Sequence, residues 1–383
     1  MPHLSLRALE GLKHYQYKPG GYTWLDELHQ PLWKWITDSL PLWLAPNLIT
    51  LSGLLALVSS YFANAVFIPT LSEQAPWWVY FFSGASLVLY TNLDCIDGKQ
   101  ARRTGTSSPL GQLFDHGVDA LAVHLVLLNL LCTFGAGTTW MTPTLLVSIK
   151  VPWLLAQWEE YHTGLMLYGN GWWGVLEINY GVAAMHFLSA ALTPSFWRLK
   201  PLGYLGLDLG FGSAEELRGI VLMIIAVGAG IQTAEQLIRV LRGTNDCPQE
   251  ERGHKDLSTA GKLTQVLEKA AMGAAALAWL YASPPRSARA VLSTFGVVYA
   301  WEATNLITAH MTKEPVLTTW WPAATMALAS ANAVAGAVDP ALVAFAVNGA
   351  VIVAYLHHVV SLVGEICAAL NINCLTIRPK RAY

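Results

Sequence analysis

The sequence predicts an all-α, polytopic integral membrane protein, and three observations predict it. Hydrophobic residues make up 54% of the 383 residues, while only 13% are charged. A soluble domain carries about 25% charged residues, so this chain cannot clothe its surface in charge. The mean hydropathy is +0.40. Finally, apolar runs of about 20 residues, the length that crosses a bilayer, recur along the chain. The 16 Trp and 14 Tyr suit two interfacial belts. The same composition excludes disorder and a soluble enzyme. A formal net charge of −2 excludes a strongly basic nucleic-acid binder. Five scattered cysteines without a CxxC pair indicate neither zinc nor a disulfide framework.

Residues 1–20 are polar and lack the apolar core of a signal peptide, so the first long apolar segment is expected to target and anchor the chain. Residues 1–45 read as an N-terminal interfacial amphipathic segment. Leu4, Leu6, Leu9 and Leu12 come first. Leu25, Leu28, Leu32, Trp35 and Ile36 then form a helical stripe, with Trp24 and Trp33 beside it and Asp26, Glu27 and Lys34 between. Such a helix lies on a membrane or packs on the rest of the protein, and Pro31 is a candidate break within it. About ten spans follow, near 47–67, 77–98, 111–134, 142–157, 172–193, 217–240, 264–283, 290–309, 317–336 and 340–368. Gly, Pro or charged residues separate most of them. The fourth is short and contains Lys150. Small residues at 271–279 and 332–350 allow close helix approach.

Orientation follows from Lys and Arg in short loops. Lys99, Arg102 and Arg103, then Arg239, Arg242, Arg252, Lys255 and Lys262, then Lys313, and finally Arg378, Lys380 and Arg381 fall on one side of a ten-span chain. That side is expected to be cytosolic and to hold both termini. Arg198, Lys200, Arg286 and Arg289 fall on the other side and oppose this reading.

The chemistry is carried by Asp94-Cys95-Ile96-Asp97-Gly98-Lys99-Gln100-Ala101-Arg102, continuing to Gly111, Asp115 and Asp119. Asp94, Asp97, Gly98, Ala101 and Arg102 share one helical face, and Gly111, Asp115 and Asp119 share a face of the next helix. Consecutive spans joined by a short turn are antiparallel, so four carboxylates converge near the cytosolic ends of two spans. A carboxylate at a helix centre costs about 2.5–3.5 kcal/mol on the insertion scale, and four together repel. Divalent cations relieve both problems. Oxygen ligands without a nearby Cys/His set favour Mg²⁺ or Mn²⁺ over zinc. Gly98, Ala101 and Gly111 leave space for a bulky ligand, and Lys99, Arg102 and Arg103 are placed to meet phosphate. Spacing alone leaves three readings open: phosphoryl-type transfer, a cation path in a transporter, and ordinary loop carboxylates.

The string matches D-x2-D-G-x2-A-R-x8-G-x3-D-x3-D at all its fixed positions, and the chain resembles the CDP-alcohol phosphotransferase family. Within it, the chain is similar to the eukaryotic choline/ethanolamine phosphotransferases, particularly the plant type. The supporting segments are LWLAPNLIT (42–50), DGKQARRT (97–104), SPLGQLFDHG (108–117), WEEYHT (158–163) and ALNINCLTI (369–377). The resemblance implies that Asp94, Asp97, Asp115 and Asp119 bind two Mg²⁺ ions, with Asp119 also the general base. It implies that Asn47, Gly98, Ala101, Arg102 and Gly111 line the CDP site. CDP-ethanolamine or CDP-choline is then the donor and diacylglycerol the acceptor, giving phosphatidylethanolamine or phosphatidylcholine and CMP. It further implies a catalytic bundle over 46–240, and helices over 241–383 that carry homodimer contacts and end in a cytosolic tail. The implied location is the endoplasmic reticulum or Golgi. The motif opens Asp94-Cys95 where plant relatives tend to have Asp-Ala, and Val118-Asp119-Ala120 follows the DHG segment without the usual Cys. Neither departure touches a fixed position. Rival readings are another head group such as inositol, a cation transporter, and a silent lipid-binding scaffold.

His116, beside Asp115, is a candidate to assist proton removal. Glu177 lies early in an apolar run and is a functional candidate by default. Glu159, Glu160 and His162 either orient substrate or form a solvated loop. Glu302, His310, His357 and His358 suit interhelical hydrogen bonds. Trp172, Trp173, Trp320 and Trp321 suit interfacial anchors or an aromatic cage for a quaternary amine.

Overall fold

Proline and glycine set the helix limits. Pro46, Pro109 and Pro340 occupy first-turn positions, where the missing N–H costs nothing. Gly105, Gly135 and Gly243 take positive φ at C-caps. The computed structural model describes residues 4–15, 22–167, 174–207, 210–243, 257–316 and 318–377. Two amphipathic helices, α1 (Leu6–His14) and α2 (Trp24–Ser39), precede ten others. These are α3 (Pro46–Phe67), α4 (Trp77–Thr104), α5 (Pro109–Phe134), α6 (Met141–Thr163) and α7 (Val175–Leu192), then α8 (Leu217–Arg242), α9 (Thr259–Ala282), α10 (Ala288–Thr312), α11 (Trp321–Ala335) and α12 (Pro340–Leu370). Each expected span therefore coincides with a helix, and the fold among the described residues is all-α. Trp172, Trp173 and most of the charged loop at 246–262 lie outside those residues.

Six of the ten, α3, α4, α5, α7, α8 and α12, are long and apolar enough to cross a membrane on their own. Of the others, α6, α9 and α10 carry charge that the bundle interior absorbs, and α11 is short. In α6, Glu159 receives two hydrogen bonds from Arg239 of α8, at 2.5 and 2.9 Å. Lys150 is buried, with its Nζ 3.8 Å above the Tyr299 ring. This internal placement lets α6 run well past the short span expected from sequence. Between α9 and α10, Glu302 accepts from Lys269, and it also accepts from Thr319 at 2.9 Å. His358 stacks on Trp301 at 4.9 Å. Helix α11 has 15 residues, about 22 Å of rise, which is shorter than the ~30 Å hydrocarbon core. It does not fill the ninth expected span as a straight crossing.

Helix α10 buries most of its length against α5, α6 and α12, while α4 is enclosed by α3, α7 and α2. Two arginines close helix ends inside the bundle. Arg289 donates to the carbonyls of Asn64 and Ile68 at the end of α3, at 3.1 and 2.6 Å. Arg218 donates to the Phe134 carbonyl at the end of α5, at 2.5 Å. Both put a buried cation on the negative end of a helix dipole.

Helix α2 continues through Pro31 as one helix, against the expected break. A Thr23–Asp26 capping box starts it, and docking holds it together. The Trp33 Nε1 donates to Asn92 Oδ1 of α4 at 3.0 Å, and Trp33 is 2% exposed. The stripe read from sequence is divided. Leu25 and Ile36 pack inward with Trp33, while Leu28, Leu32 and Trp35 remain exposed. The helix thus packs on the bundle and presents a second apolar edge outward.

Candidate active site

The site is built where α4 turns into α5. Gly105 ends α4 at φ 66°, and the Thr106 amide bonds back to the Ala101 carbonyl at 2.9 Å. Ser108 caps α5 by accepting from the Gly111 amide at 3.2 Å, and Pro109 begins the helix. Residues 105–108 thus fold α5 antiparallel against α4. Asp94 and Asp97 lie one helical turn apart, as do Asp115 and Asp119, and the two pairs face one another.

Asp94, Asp115 and Asp119 each bring a carboxylate oxygen within 4.8 Å of the others'. Asp97 is 6% exposed and lies within electrostatic reach of the other three. Asp94 Oδ1 and Asp115 Oδ1 are buried and accept no hydrogen bond. Orphaned anionic oxygens are costly, and a divalent cation at their centre would satisfy them. The donor set therefore fits a hard cation.

Two residues that sequence reasoning missed hold the carboxylates. The Tyr90 hydroxyl donates to Asp119 Oδ1 at 2.5 Å, and the Thr50 hydroxyl donates to Asp97 Oδ2. Gly53 makes the first contact possible. A Cβ there would lie 3.1 Å from Tyr90 Cδ2 and 3.3 Å from its Cα, so α3 and α4 approach closely. The signals were present in the sequence. Tyr90 is one turn before Asp94 on the same face, and Thr50 is one turn after Asn47.

Space remains beside the cluster. A Cβ on Gly98 would meet only Arg102 Nη1, at 3.5 Å. One on Gly111 would meet Ser108 Oγ at 3.7 Å and Asn47 Oδ1 at 3.8 Å. Gly98 thus leaves room beside Arg102, and Gly111 leaves room beside Ser108 and Asn47, while Ala101 lies on the same face of α4 as Gly98. The structure directs Lys99 and Arg103 elsewhere. Lys99 Nζ donates to Gln30 at 2.5 Å and sits 5.5 Å over the Trp33 ring. Arg103 donates to the Leu40 and Asp38 carbonyls at 2.7 and 3.0 Å. These two are four residues apart and so face α2, one of the consequences of its docking. Their polar contacts are thus on the α2 side, while Arg102 Nη1 stands beside Gly98. The buried Gln100 donates to the Pro41 and Leu44 carbonyls, both at 3.1 Å, and fixes the loop that carries Asn47.

His116 is buried at 2% exposure, one residue from Asp115. Glu177 Oε2 accepts from the Gly174 amide at 2.9 Å and so caps α7, while its Oε1 is buried without a hydrogen bond. Of the other candidates, His162 bonds Gln265 at 2.9 Å, and His310 lies 3.8 Å from Glu160. Both are interhelical contacts away from the carboxylates in sequence.

A profile of the CDP-alcohol phosphatidyltransferase family matches residues 43–204, the stretch from α3 to beyond α7 that holds the whole site. A Dictyostelium discoideum relative, uncharacterized CDP-alcohol phosphatidyltransferase class-I family protein 3, is 30% identical, over 98% of this chain and 99% of its own. The chain belongs to this family. Choline/ethanolaminephosphotransferase 1 of Arabidopsis thaliana is 29% identical over the full length of both chains. Cholinephosphotransferase 1 of Xenopus laevis is 37% identical over 196 residues, 51% of this chain and 48% of its own. The alignable part thus spans about half the length of that animal relative.

Proposed function

We propose that this chain transfers phosphoethanolamine or phosphocholine from a CDP-alcohol to diacylglycerol, forming a phospholipid and CMP. The observation that carries the reading is the carboxylate cluster with orphaned oxygens beside the open space at Gly98, Gly111 and Asn47. The full-length similarity to a choline/ethanolaminephosphotransferase supports the amino-alcohol head group.

Two Mg²⁺ ions, or Mn²⁺, held by Asp94, Asp97, Asp115 and Asp119 would neutralise the donor's pyrophosphate and the departing CMP. Arg102, beside Gly98, is placed to bind a phosphate oxygen. Asn47, Gly98, Ala101 and Gly111 border the nucleotide. The hydroxyl of diacylglycerol attacks the phosphorus that carries the amino alcohol. Asp119 takes the hydroxyl proton while the Tyr90 phenol holds that carboxylate in orientation. As the new P–O bond forms, the bond to the bridging oxygen breaks, and CMP leaves with that electron pair. No covalent enzyme intermediate is required. His116 and the uncommitted oxygen of Glu177 are secondary candidates for proton transfer or for contact with the amino-alcohol cation.

The site faces the cytosol in this reading, in the endoplasmic reticulum or Golgi. A water-soluble donor and a membrane-confined acceptor meet only where helix ends reach the interface. Three of the four cations that oppose this orientation in sequence have partners. Arg289 caps α3, Lys200 lies 3.8 Å from Glu215, and Arg286 lies 3.2 Å from Asp339. Homodimer contacts through the later helices belong to the same reading, on family resemblance.

Product analysis tests the reaction. Purified protein with diacylglycerol and Mg²⁺ is supplied in turn with CDP-choline, CDP-ethanolamine and CDP-diacylglycerol plus inositol. Phosphatidylcholine or phosphatidylethanolamine is expected, and phosphatidylinositol alone would overturn the assignment.

A further inference from the structure

We infer that the segment following α12, residues 371–377, seats against Asn47 at the edge of the donor nucleotide site and sets the orientation of Asn47 toward the nucleotide. This deepens the proposed function and rests on it. Helix α12 ends at Leu370, and Asn371 turns the chain back at φ 55°. The Ile372 amide bonds to the Cys367 carbonyl at 3.1 Å, and Asn373 Nδ2 donates to Thr376 Oγ1 at 2.8 Å. Ile372 and Cys374 then pack against a cluster that contains Leu110 and Leu113 of α5 together with Leu4, Ala8 and Leu12 of the N-terminal region. Leu110 and Leu113 bracket Gly111, so the segment is seated beside the first turn of α5.

From there the segment reaches Asn47. Asn47 Nδ2 donates to the Cys374 carbonyl at 3.0 Å and lies 3.6 Å from Cys374 Sγ. A backbone carbonyl only accepts, so the amide group of Asn47 must present its NH₂ to the segment. Its Oδ1 must then point the opposite way. That oxygen lies 3.8 Å from where a Cβ on Gly111 would stand, at the border of the space that glycine leaves. Without the carbonyl, the amide is free to flip and present donors instead of an acceptor. Segment 371–377 therefore selects an acceptor at this edge, suited to an amino or hydroxyl donor on the bound nucleotide. It is a positioning element, acting through Asn47 across 327 residues of sequence.

Donor binding measured by calorimetry, with CDP-choline and Mg²⁺, tests this on four proteins: the full chain, Asn47→Ala, a chain stopped after Asn371, and the two changes combined. Loss of one uncharged hydrogen bond predicts about tenfold weaker binding for each single change. The combined change should be no weaker than either, because both remove one interaction. The KM for diacylglycerol should stay unchanged in all four. Unaltered binding by the stopped chain overturns the inference, as does a combined effect equal to the product of the two. Binding of no donor by the full chain overturns the proposed function, and this inference with it. If the stopped chain does not fold, a full-length chain retaining only Cys374, with Cys95, Cys132, Cys247 and Cys367 changed to Ala, decides the matter. CDP-choline with Mg²⁺ should slow maleimide labelling of Cys374 severalfold, and an unchanged labelling rate overturns the inference.

Discussion

Replacing Tyr90 with Phe removes one oxygen atom from the site and little else. The ring is 4% exposed, wedged against Gly53, and Phe fills the same volume. What is lost is the 2.5 Å hydrogen bond to Asp119 Oδ1. A hydrogen bond to a charged group is worth about 1.5–3 kcal/mol. If that energy holds Asp119 in its productive orientation, its loss appears in the transition state as a fall in kcat of about 10- to 150-fold. The donor's KM should change less than twofold, because Tyr90 does not border Gly98, Gly111 or Asn47. Initial rates of CMP release, measured over ranges of donor and diacylglycerol, separate these quantities. Thermal melting in detergent should show the variant folded. A Tyr90→Phe protein with kcat within twofold of the parent would refute the argument that the phenol orients the base.

Other expectations follow from the same geometry. Arg102→Ala should raise the donor's KM about tenfold or more, as for loss of a charge-assisted contact, while Lys99→Ala and Arg103→Ala should leave that KM near the parent value. Steady-state kinetics with varied CDP-alcohol distinguishes them, and equal effects from all three would restore the sequence-based grouping. Arg289→Ala should destabilise the protein by about 1–3 kcal/mol for each α3 carbonyl left unsatisfied, without altering either KM, as read from melting temperature and kinetics. Chelation of divalent cations should abolish CMP release, with Mg²⁺ or Mn²⁺ restoring it. Activity that survives exhaustive chelation contradicts the role given to the carboxylates.

The fold was legible because each long apolar run could satisfy its backbone only as a helix. Lys150 made the fourth span look weak, because a sequence does not show that the aromatic face of Tyr299 awaits it. Pro31 looked like a break for the same reason: α2 owes its continuity to Trp33 docking on Asn92, a contact across 59 residues. The ninth span was overestimated because apolar composition over 317–336 does not reveal that the helix begins only at Trp321. In the site, the acidic face was legible from spacing, since Asp94, Asp115 and Asp119 follow helical periodicity. Lys99 and Arg103 were grouped with Arg102 because all three follow the motif. Their division depends on α2, whose position the motif does not encode. Tyr90 and Thr50 were readable by face, one turn from residues already singled out, but neither carries a charge that draws notice within an apolar span. The link from Cys374 to Asn47 joins the two ends of the chain and has no local signature.

In the proposed reaction these carboxylates drive transfer from a CDP-alcohol to diacylglycerol. It is tested most directly by measuring CMP and phospholipid together, from purified protein in detergent with CDP-choline or CDP-ethanolamine, diacylglycerol and Mg²⁺. Asp119→Asn, which keeps the shape and removes the charge, is run alongside. Equal amounts of the two products are expected from the parent chain, with a loss of at least about 10²-fold in the variant. Undiminished CMP release by the variant, or no CMP from the folded parent with either donor, would contradict the proposal.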